Sequence, residues 1–84
     1  NLRIICPARL IKRKGQDTLI NAISLLKEKN INYTVDLIGE GDEKENFIKL
    51  SEQNKVTDNI IFCGYVERSK MTDYYNKADV FILP

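Results

Sequence analysis

The chain has 84 residues, of which 43% are apolar and 30% charged, and its formal net charge is +1. This length allows one small domain at most, and the nearly balanced charge argues against a nucleic-acid binder, which normally carries a concentrated basic face. There is no histidine and no apolar run near the ~20 residues of a membrane-spanning helix, so the segment holds neither a His-based triad, a His metal site nor such a helix.

Four short apolar runs predict β-strands, and three amphipathic patterns predict helices between them. In the first helix, Leu19, Ile23 and Leu26 recur at the spacing of one helical face. The predicted elements in chain order are strand Arg3–Ala8, helix Gln16–Lys29, strand Tyr33–Ile38, helix Glu43–Asn54, strand Ile60–Cys63, helix Ser69–Lys77 and strand Asp79–Leu83.

Polar residues at the element boundaries predict how the helices begin and end. Asp42 is expected to cap the second helix, with Glu45 three residues on completing a capping box. Ser69 is expected to cap the third helix, and Asn30 to follow the last turn of the first. Four apolar side chains are expected in the core rather than against a ligand: Met71, Tyr74, Tyr75 and Phe81.

The strict alternation of strands and helices predicts an α/β fold, Rossmann-like and three-layered, around a parallel sheet with strand order 3-2-1-4. Ligands of such sheets bind in the crevice beyond the carboxyl ends of the first and fourth strands. The chain starts almost directly in an apolar run and ends in another, so we expect residues 1–84 to be part of a longer domain. Cys6 and Cys63 lie in apolar runs, which predicts buried, reduced thiols and a cytoplasmic protein.

The segment after the first strand, residues 9–15, brings four cations to this crevice. Arg9 lies at the strand's carboxyl edge, where a guanidinium can donate paired hydrogen bonds to a phosphate. Lys14 and Gly15 immediately precede a helix N-terminus, which favours an anion. A diphosphate fits this arrangement, and a solvated basic loop is the equal alternative.

Two glycine turns follow the second and third strands. Gly39-Glu40-Gly41 resembles half of a dinucleotide fingerprint, but a plain strand-to-helix turn explains it as well. The backbone of Gly64-Tyr65-Val66 could read a nucleobase edge, and a glycine-led strand exit is the alternative. Asp17, in a helix's first turn, and Asp79, at a strand start, are more simply structural than catalytic.

Taken together, these motifs resemble the C-terminal domain of the group 1 (family 4) glycosyltransferases of GT-B fold. The resemblance covers essentially the whole chain, and its pieces are specific in their order and spacing. Ala8 departs from the family's usual glycine before the arginine, which slightly restricts backbone approach. The matching segments are Cys6-Pro7-Ala8-Arg9-Leu10, Lys14-Gly15-Gln16-Asp17, Ile38-Gly39-Glu40-Gly41, Ile60-Ile61-Phe62-Cys63-Gly64-Tyr65-Val66 and Tyr75-Asn76-Lys77-Ala78-Asp79-Val80-Phe81-Ile82-Leu83-Pro84.

The resemblance implies a retaining transferase that uses a nucleotide-diphospho-sugar donor without a metal ion or other cofactor. Arg9 and Lys14 would stabilise the leaving diphosphate, and Gly15 would let the backbone approach it. Gly64, Tyr65 and Val66 would hold the base, while Gly39 and Gly41 would border the donor cleft.

The resemblance also implies what lies outside these residues. The family's Glu-x7-Glu segment follows the Leu-Pro at which this chain ends, and a separate N-terminal domain binds the acceptor, a glycan or a lipid-linked glycan. We therefore expect no transfer by the 84 residues alone. Relatives often assemble polysaccharide at the cytoplasmic face of a membrane, which allows peripheral membrane association.

Other functions fit the sequence less well. A non-catalytic Rossmann-like nucleotide-binding or protein-interaction module is the main alternative, because the fold alone does not require catalysis. A receiver domain would need acidic residues at the strand ends, where Arg9 stands instead. A dinucleotide-dependent oxidoreductase would need a glycine fingerprint after the first strand, and that turn has none.

Overall fold

The computed structural model describes residues 1–11 and 16–82. A short 3-10 helix, Thr57–Asn59, leads into the third strand. The strands and α-helices in chain order are β1 (Leu2–Pro7), α1 (Gln16–Glu28), β2 (Tyr33–Ile38), α2 (Lys44–Gln53), β3 (Ile60–Gly64), α3 (Arg68–Lys77) and β4 (Val80–Phe81).

The four strands form one parallel sheet in the order β3-β2-β1-β4, which confirms the predicted fold class and strand order. β1 and β2 pair along their whole length, from Leu2 opposite Tyr33 to Pro7 opposite Ile38. β4 pairs with β1 through Val80 and Phe81. Since β1 lies between β2 and β4, the chain reverses its direction across the sheet there, and this is the switch point of the fold.

One face of the sheet carries the main hydrophobic core. Side chains that alternate along the strands meet those of α1 and α2, because successive residues of a strand point to opposite faces. Each fully buried aliphatic side chain contributes about 1.5–3 kcal/mol relative to its exposed state. The buried members of this core are Ile4, Cys6, Leu10, Ile20, Ile23, Tyr33, Val35, Leu37, Phe47, Val56 and Ile60.

The opposite face is only partly covered, by α3. Ile5 and Ile38 are buried there, but Ile61 is 51% exposed. The prediction that four apolar side chains near α3 belong to the core is therefore wrong: Tyr75 and Phe81 are exposed, and Met71 and Tyr74 are only half-buried. Helical spacing identifies the apolar side of α3, but it does not show whether anything lies against that side.

The element boundaries differ from the predictions by one or two residues, as helix and strand ends commonly do. β1 begins and ends one residue earlier than expected, and β3 extends to Gly64. β4 begins at Val80 rather than Asp79, and its predicted end at Leu83 lies outside the described residues.

Two of the three predicted caps are wrong. The residues before α2 and α3 are Glu43 and Glu67, and neither helix start has a side-chain cap, so Asp42 and Ser69 do not cap them. At α2 a main-chain partner replaces the side chain, because the Glu43 N–H donates to the Leu10 carbonyl at 3.0 Å.

The predicted capping role of Asn30 after α1 is confirmed, although the helix ends at Glu28, one residue earlier than expected. Asn30 adopts the left-handed conformation, with φ 59°. Its N–H donates to the Lys27 carbonyl, and the Ile31 N–H donates to the Leu26 carbonyl, at 3.0 and 3.1 Å. This pair of bonds satisfies the last carbonyls of the helix in the manner of a Schellman motif.

Both cysteines carry free thiols, as predicted. The predicted burial is confirmed for Cys6, which is fully buried, and is wrong for Cys63, which is only half-buried. Burial raises the pKa of Cys6 from 9.0 to about 11, and burial is also the main cause of the raised pKa of Cys63. Neither thiol is activated as a nucleophile, since activation requires a lowered pKa.

Candidate functional site

A cavity of about 480 Å³ opens at the carboxyl edge of the sheet, on the face that carries α3. This volume is in the range of small-molecule sites. Strand ends and the loop after β3 form one side, and the first turns of α3 form the other. Its described lining residues are Pro7, Ile38, Gly39, Tyr65, Val66, Arg68, Met71, Thr72 and Tyr75.

Three of the predicted site residues line this cavity. Gly39 lies directly after β2, and Tyr65 and Val66 follow β3. Tyr65 is 77% exposed, so its ring is open to a ligand at the cavity mouth. The Gly39 N–H donates to the Gly64 carbonyl at 2.8 Å, which holds the two strand exits side by side.

The exit of β1 is fixed by backbone hydrogen bonds on both sides of Arg9. The Ala8 N–H donates to the Ile38 carbonyl at 2.9 Å, and the Leu10 N–H donates to the Glu40 carbonyl at 3.1 Å. The Leu10 side chain is buried in the core, while Arg9 is exposed. The structure thus presents the Arg9 cation at the same sheet edge as the cavity.

Backbone packing and backbone conformation at this edge require glycine whether or not a ligand binds. A Cβ on Gly39 would lie 2.1 Å from the Ala8 carbonyl oxygen, and one on Gly41 would lie 2.2 Å from that of Leu10. Gly39 and Gly64 also have positive φ, of 136° and 74°, which favours glycine. The predicted contact of these glycines with a donor stays a prediction, since close backbone packing also accounts for them.

Lys14 and Gly15 lie outside the described residues. Their predicted role beside Arg9 therefore stays a prediction from the sequence. The helix that follows them, α1, begins at Gln16, as the sequence predicts.

Sequence reasoning missed the contribution of α3 to the cavity. Arg68 and Thr72 are exposed polar residues one helical turn apart, and half-buried Met71 and exposed Tyr75, also one turn apart, add apolar surface. The available signal was the position of Arg68 at the start of a helix that follows the Gly64 turn. This position places its guanidinium at the carboxyl edge of the sheet.

A second cavity, of about 280 Å³, lies further along α3 and is less suited to a ligand. Its described lining consists of four charged residues and one tyrosine: Arg3, Lys70, Asp73, Lys77 and Tyr74. The Arg3 guanidinium already pairs with Asp36 at 2.9 Å. Because ligands of open α/β sheets bind beyond the carboxyl ends of the strands, the larger cavity is the candidate site.

None of the helices in the described part of the chain has the length and apolar character that a membrane-spanning helix requires.

A family model described as "Glycosyl transferases group 1" matches residues 1–84, the whole chain. The chain is 32% identical over 81 residues to a GDP-mannose-dependent alpha-(1-6)-phosphatidylinositol monomannoside mannosyltransferase of Mycobacterium tuberculosis. It is 35% identical over 77 residues to the O-antigen biosynthesis glycosyltransferase WclY of Escherichia coli. These alignments cover 96% and 92% of the chain but only 21% and 20% of the relatives. The chain thus spans about a fifth of their length.

Solved structures share the fold at lower identity. The TarM protein of S. aureus, crystallised with UDP among its ligands, matches 96% of the chain with a TM-score of 0.86 and 20% identity. The pneumococcal O-GlcNAc transferase GtfA, solved with UDP and GlcNAc, matches 98% with a TM-score of 0.78 and 24% identity. The chain covers 16% of each of these two structures.

Proposed function

The chain belongs to the group 1 glycosyl transferases, and we propose that it is the donor-binding part of an enzyme that transfers a sugar from a nucleotide-diphospho-sugar. The observation that carries this proposal is the carboxyl edge of the sheet. There a cavity of about 480 Å³ adjoins the fixed exit of β1, which bears Arg9. UDP accompanies two solved proteins of the same fold, which supports a nucleoside diphosphate as the ligand.

In this proposal the Arg9 guanidinium binds the diphosphate of the donor, and Lys14 and Gly15 complete the site from the start of α1. Negative charge grows on the departing nucleoside diphosphate as the bond to the sugar breaks. Cations already in place stabilise that charge in the transition state without reorganising. The enzyme transfers the sugar with retention of its anomeric configuration, as the family resemblance implies.

The nucleoside occupies the cavity. Its base lies against Tyr65 and Val66, whose backbone can exchange hydrogen bonds with the base edge. Arg68 and Thr72 add polar groups from α3 to a lining that also contains apolar Ile38 and Pro7. An apolar cavity with a few polar groups is the usual form of a small-molecule site.

The proposed diphosphate site uses side chains and main-chain N–H groups in place of a metal ion or other cofactor. A chelator is therefore expected to leave the affinity for a nucleoside diphosphate unchanged. A loss of binding in EDTA that added Mg²⁺ restores would contradict this part of the proposal.

The acceptor is a glycan or a lipid-linked glycan, bound by parts of the enzyme outside these 84 residues. Relatives described as mannosyltransferases and as O-antigen or amylovoran biosynthesis glycosyltransferases support this acceptor class. The enzyme works in the cytoplasm, with peripheral association to a membrane where its acceptor is lipid-linked. Residues 1–84 by themselves bind donor but do not transfer sugar.

The experiment is a donor screen with the full-length protein. UDP- and GDP-sugars are incubated with it, and the release of nucleoside diphosphate is measured with and without glycan or lipid-linked acceptors. Acceptor-dependent release from one donor supports a transferase. Tight binding of a nucleoside diphosphate without turnover of any donor would favour a non-catalytic module instead.

A further inference from the structure

We propose that Gly41 is a positioning residue for Arg9, acting through the backbone of Leu10. The inference rests on the proposed function, in which the Arg9 guanidinium binds the donor's diphosphate. It gives the glycine turn after β2 a role other than contact with the donor. The position of the Arg9 guanidinium would then depend on the absence of a Cβ at residue 41 in the neighbouring loop.

Leu10 is the anchor, because it is held at three points. Its side chain is 1% exposed, within the core formed with α1 and α2. Its N–H donates to the Glu40 carbonyl at 3.1 Å, and its carbonyl accepts from the Glu43 N–H at 3.0 Å. Because the side chain, the N–H and the carbonyl of Leu10 are all held, the backbone of the preceding residue, Arg9, has little freedom to move.

Gly41 provides the space that this anchor needs. A Cβ at residue 41 would lie 2.2, 2.6 and 2.8 Å from the O, C and N atoms of Leu10. All three are main-chain atoms, so no flexible side chain can move aside to relieve the contact. Any other residue would push the Leu10 carbonyl away from the Glu43 N–H.

The backbone conformation does not explain this glycine. Among the described residues, the glycines with positive φ are Gly39 and Gly64, and Gly41 is not one of them. The absence of a Cβ at residue 41 is therefore required by the approach of Leu10 rather than by a left-handed turn.

A fixed Arg9 matters because a charged group binds best when it is already in place. Holding a cation in its binding position avoids the cost of ordering it when the ligand arrives. Displacement of a positioned group by about 1 Å can cost as much as a hundredfold in activity. Moving the Leu10 carbonyl out of contact with a new Cβ requires a shift of that size.

The test is a double-mutant cycle on the full-length protein, with Gly41→Ala, Arg9→Ala and the combined variant. Calorimetry gives the affinity for UDP or GDP, whichever the wild type binds more tightly, and for the matching nucleoside. Arg9→Ala is expected to weaken the diphosphate by about tenfold or more. Gly41→Ala is expected to weaken it by at least about threefold, with the nucleoside unchanged.

The combined variant carries the decisive result. If Gly41 acts through Arg9, Gly41→Ala has almost no further effect once Arg9 is absent, because coupled residues are not additive. Additive losses, a silent Gly41→Ala, or an equal loss of nucleoside affinity would each overturn the inference. Asp42→Ala is the matched control, since it changes an exposed neighbour without adding an atom against Leu10.

Should Gly41→Ala fail to fold, Leu10→Val applies the same test, because it loosens the same anchor from within the core. The same non-additivity with Arg9→Ala is expected, and additive losses would again overturn the inference. A silent Arg9→Ala would instead remove Arg9 from the proposed diphosphate site, so this failure is distinguishable from a failure of the inference about Gly41.

Discussion

Arg3 and Asp36 form an ion pair of 2.9 Å between neighbouring strands, on the face of the sheet that carries α3. Their burial is unequal: the Asp36 side chain is 1% exposed and that of Arg3 is 35% exposed. Water can therefore reach the Arg3 guanidinium but not the Asp36 carboxylate. The carboxylate needs the ion pair to compensate its charge, whereas the guanidinium can be hydrated instead.

Replacing the cation should destabilise the protein more than replacing the carboxylate. Arg3→Met leaves a buried, uncompensated charge, which costs about 3–5 kcal/mol. Asp36→Leu leaves a cation that can turn to solvent, and we expect a loss of about 1–2 kcal/mol. Denaturant unfolding measures the loss of stability in each variant. The combined variant should be more stable than Arg3→Met, because it leaves no buried charge without a partner. Equal losses, or a larger loss for Asp36→Leu, would contradict this account.

Asp79 attaches β4 to β1. Its carboxylate accepts from the Arg3 N–H at 2.9 Å, and its own N–H donates to the Arg3 carbonyl at 2.7 Å. Asp79→Ala should lower the free energy of unfolding by about 1–2 kcal/mol. Asp79→Asn keeps an acceptor and should lose less. Hydrogen exchange at the Arg3 amide should accelerate in the alanine variant, and unchanged protection would argue against this attachment.

The fold was predictable from the sequence because the strands and helices have distinct periods. β2 is predicted to the residue, since its run from Tyr33 to Ile38 is apolar apart from Thr34 and Asp36. The exposure of the apolar side of α3 was not predictable. The spacing of apolar residues identifies which side of a helix is apolar, but it does not show whether another element packs against that side. The start of α2 was mispredicted because its partner is a main-chain atom of Leu10, distant in sequence.

The candidate site was predictable only where it follows the strand ends. Gly39, Tyr65 and Val66 line the cavity at the carboxyl edge, where ligands of parallel sheets bind, and their contact with a donor stays a prediction. Arg68 and Thr72 were missed, because their side of α3 depends on how that helix packs on the sheet.

Arg68 should contribute to nucleoside binding and not to phosphate binding. Its side chain lines the cavity proposed for the base, whereas Arg9 belongs to the proposed phosphate site. Arg68→Ala should therefore weaken a nucleoside and its diphosphate by the same factor, about three- to tenfold. Calorimetry with both ligands measures this, and Asn76→Ala on the last turn of α3 is the control. A loss confined to the diphosphate would place Arg68 in the phosphate site instead.

Stability should fall in alkaline solution because of Cys6. Burial raises the pKa of this thiol from 9.0 to about 11, so the unfolded chain loses the proton at lower pH than the folded protein. The resulting loss in the free energy of unfolding is absent below pH 9. It grows as the pH rises towards 11 and reaches about 3 kcal/mol at most. Denaturant unfolding between pH 8 and 10.5 should show a shallower decline for Cys6→Ala. An equally steep decline in that variant would contradict the assignment.

The central claim is that the exit of β1 binds the diphosphate of a nucleotide-sugar donor. The most direct measurement is the affinity of the full-length protein for UDP and GDP compared with uridine and guanosine. We predict that one diphosphate binds much more tightly than its nucleoside. Arg9→Ala and Lys14→Ala should each remove about 1–3 kcal/mol of that difference while leaving nucleoside binding intact. Equal affinity for diphosphate and nucleoside, or an unchanged difference in both variants, would contradict it.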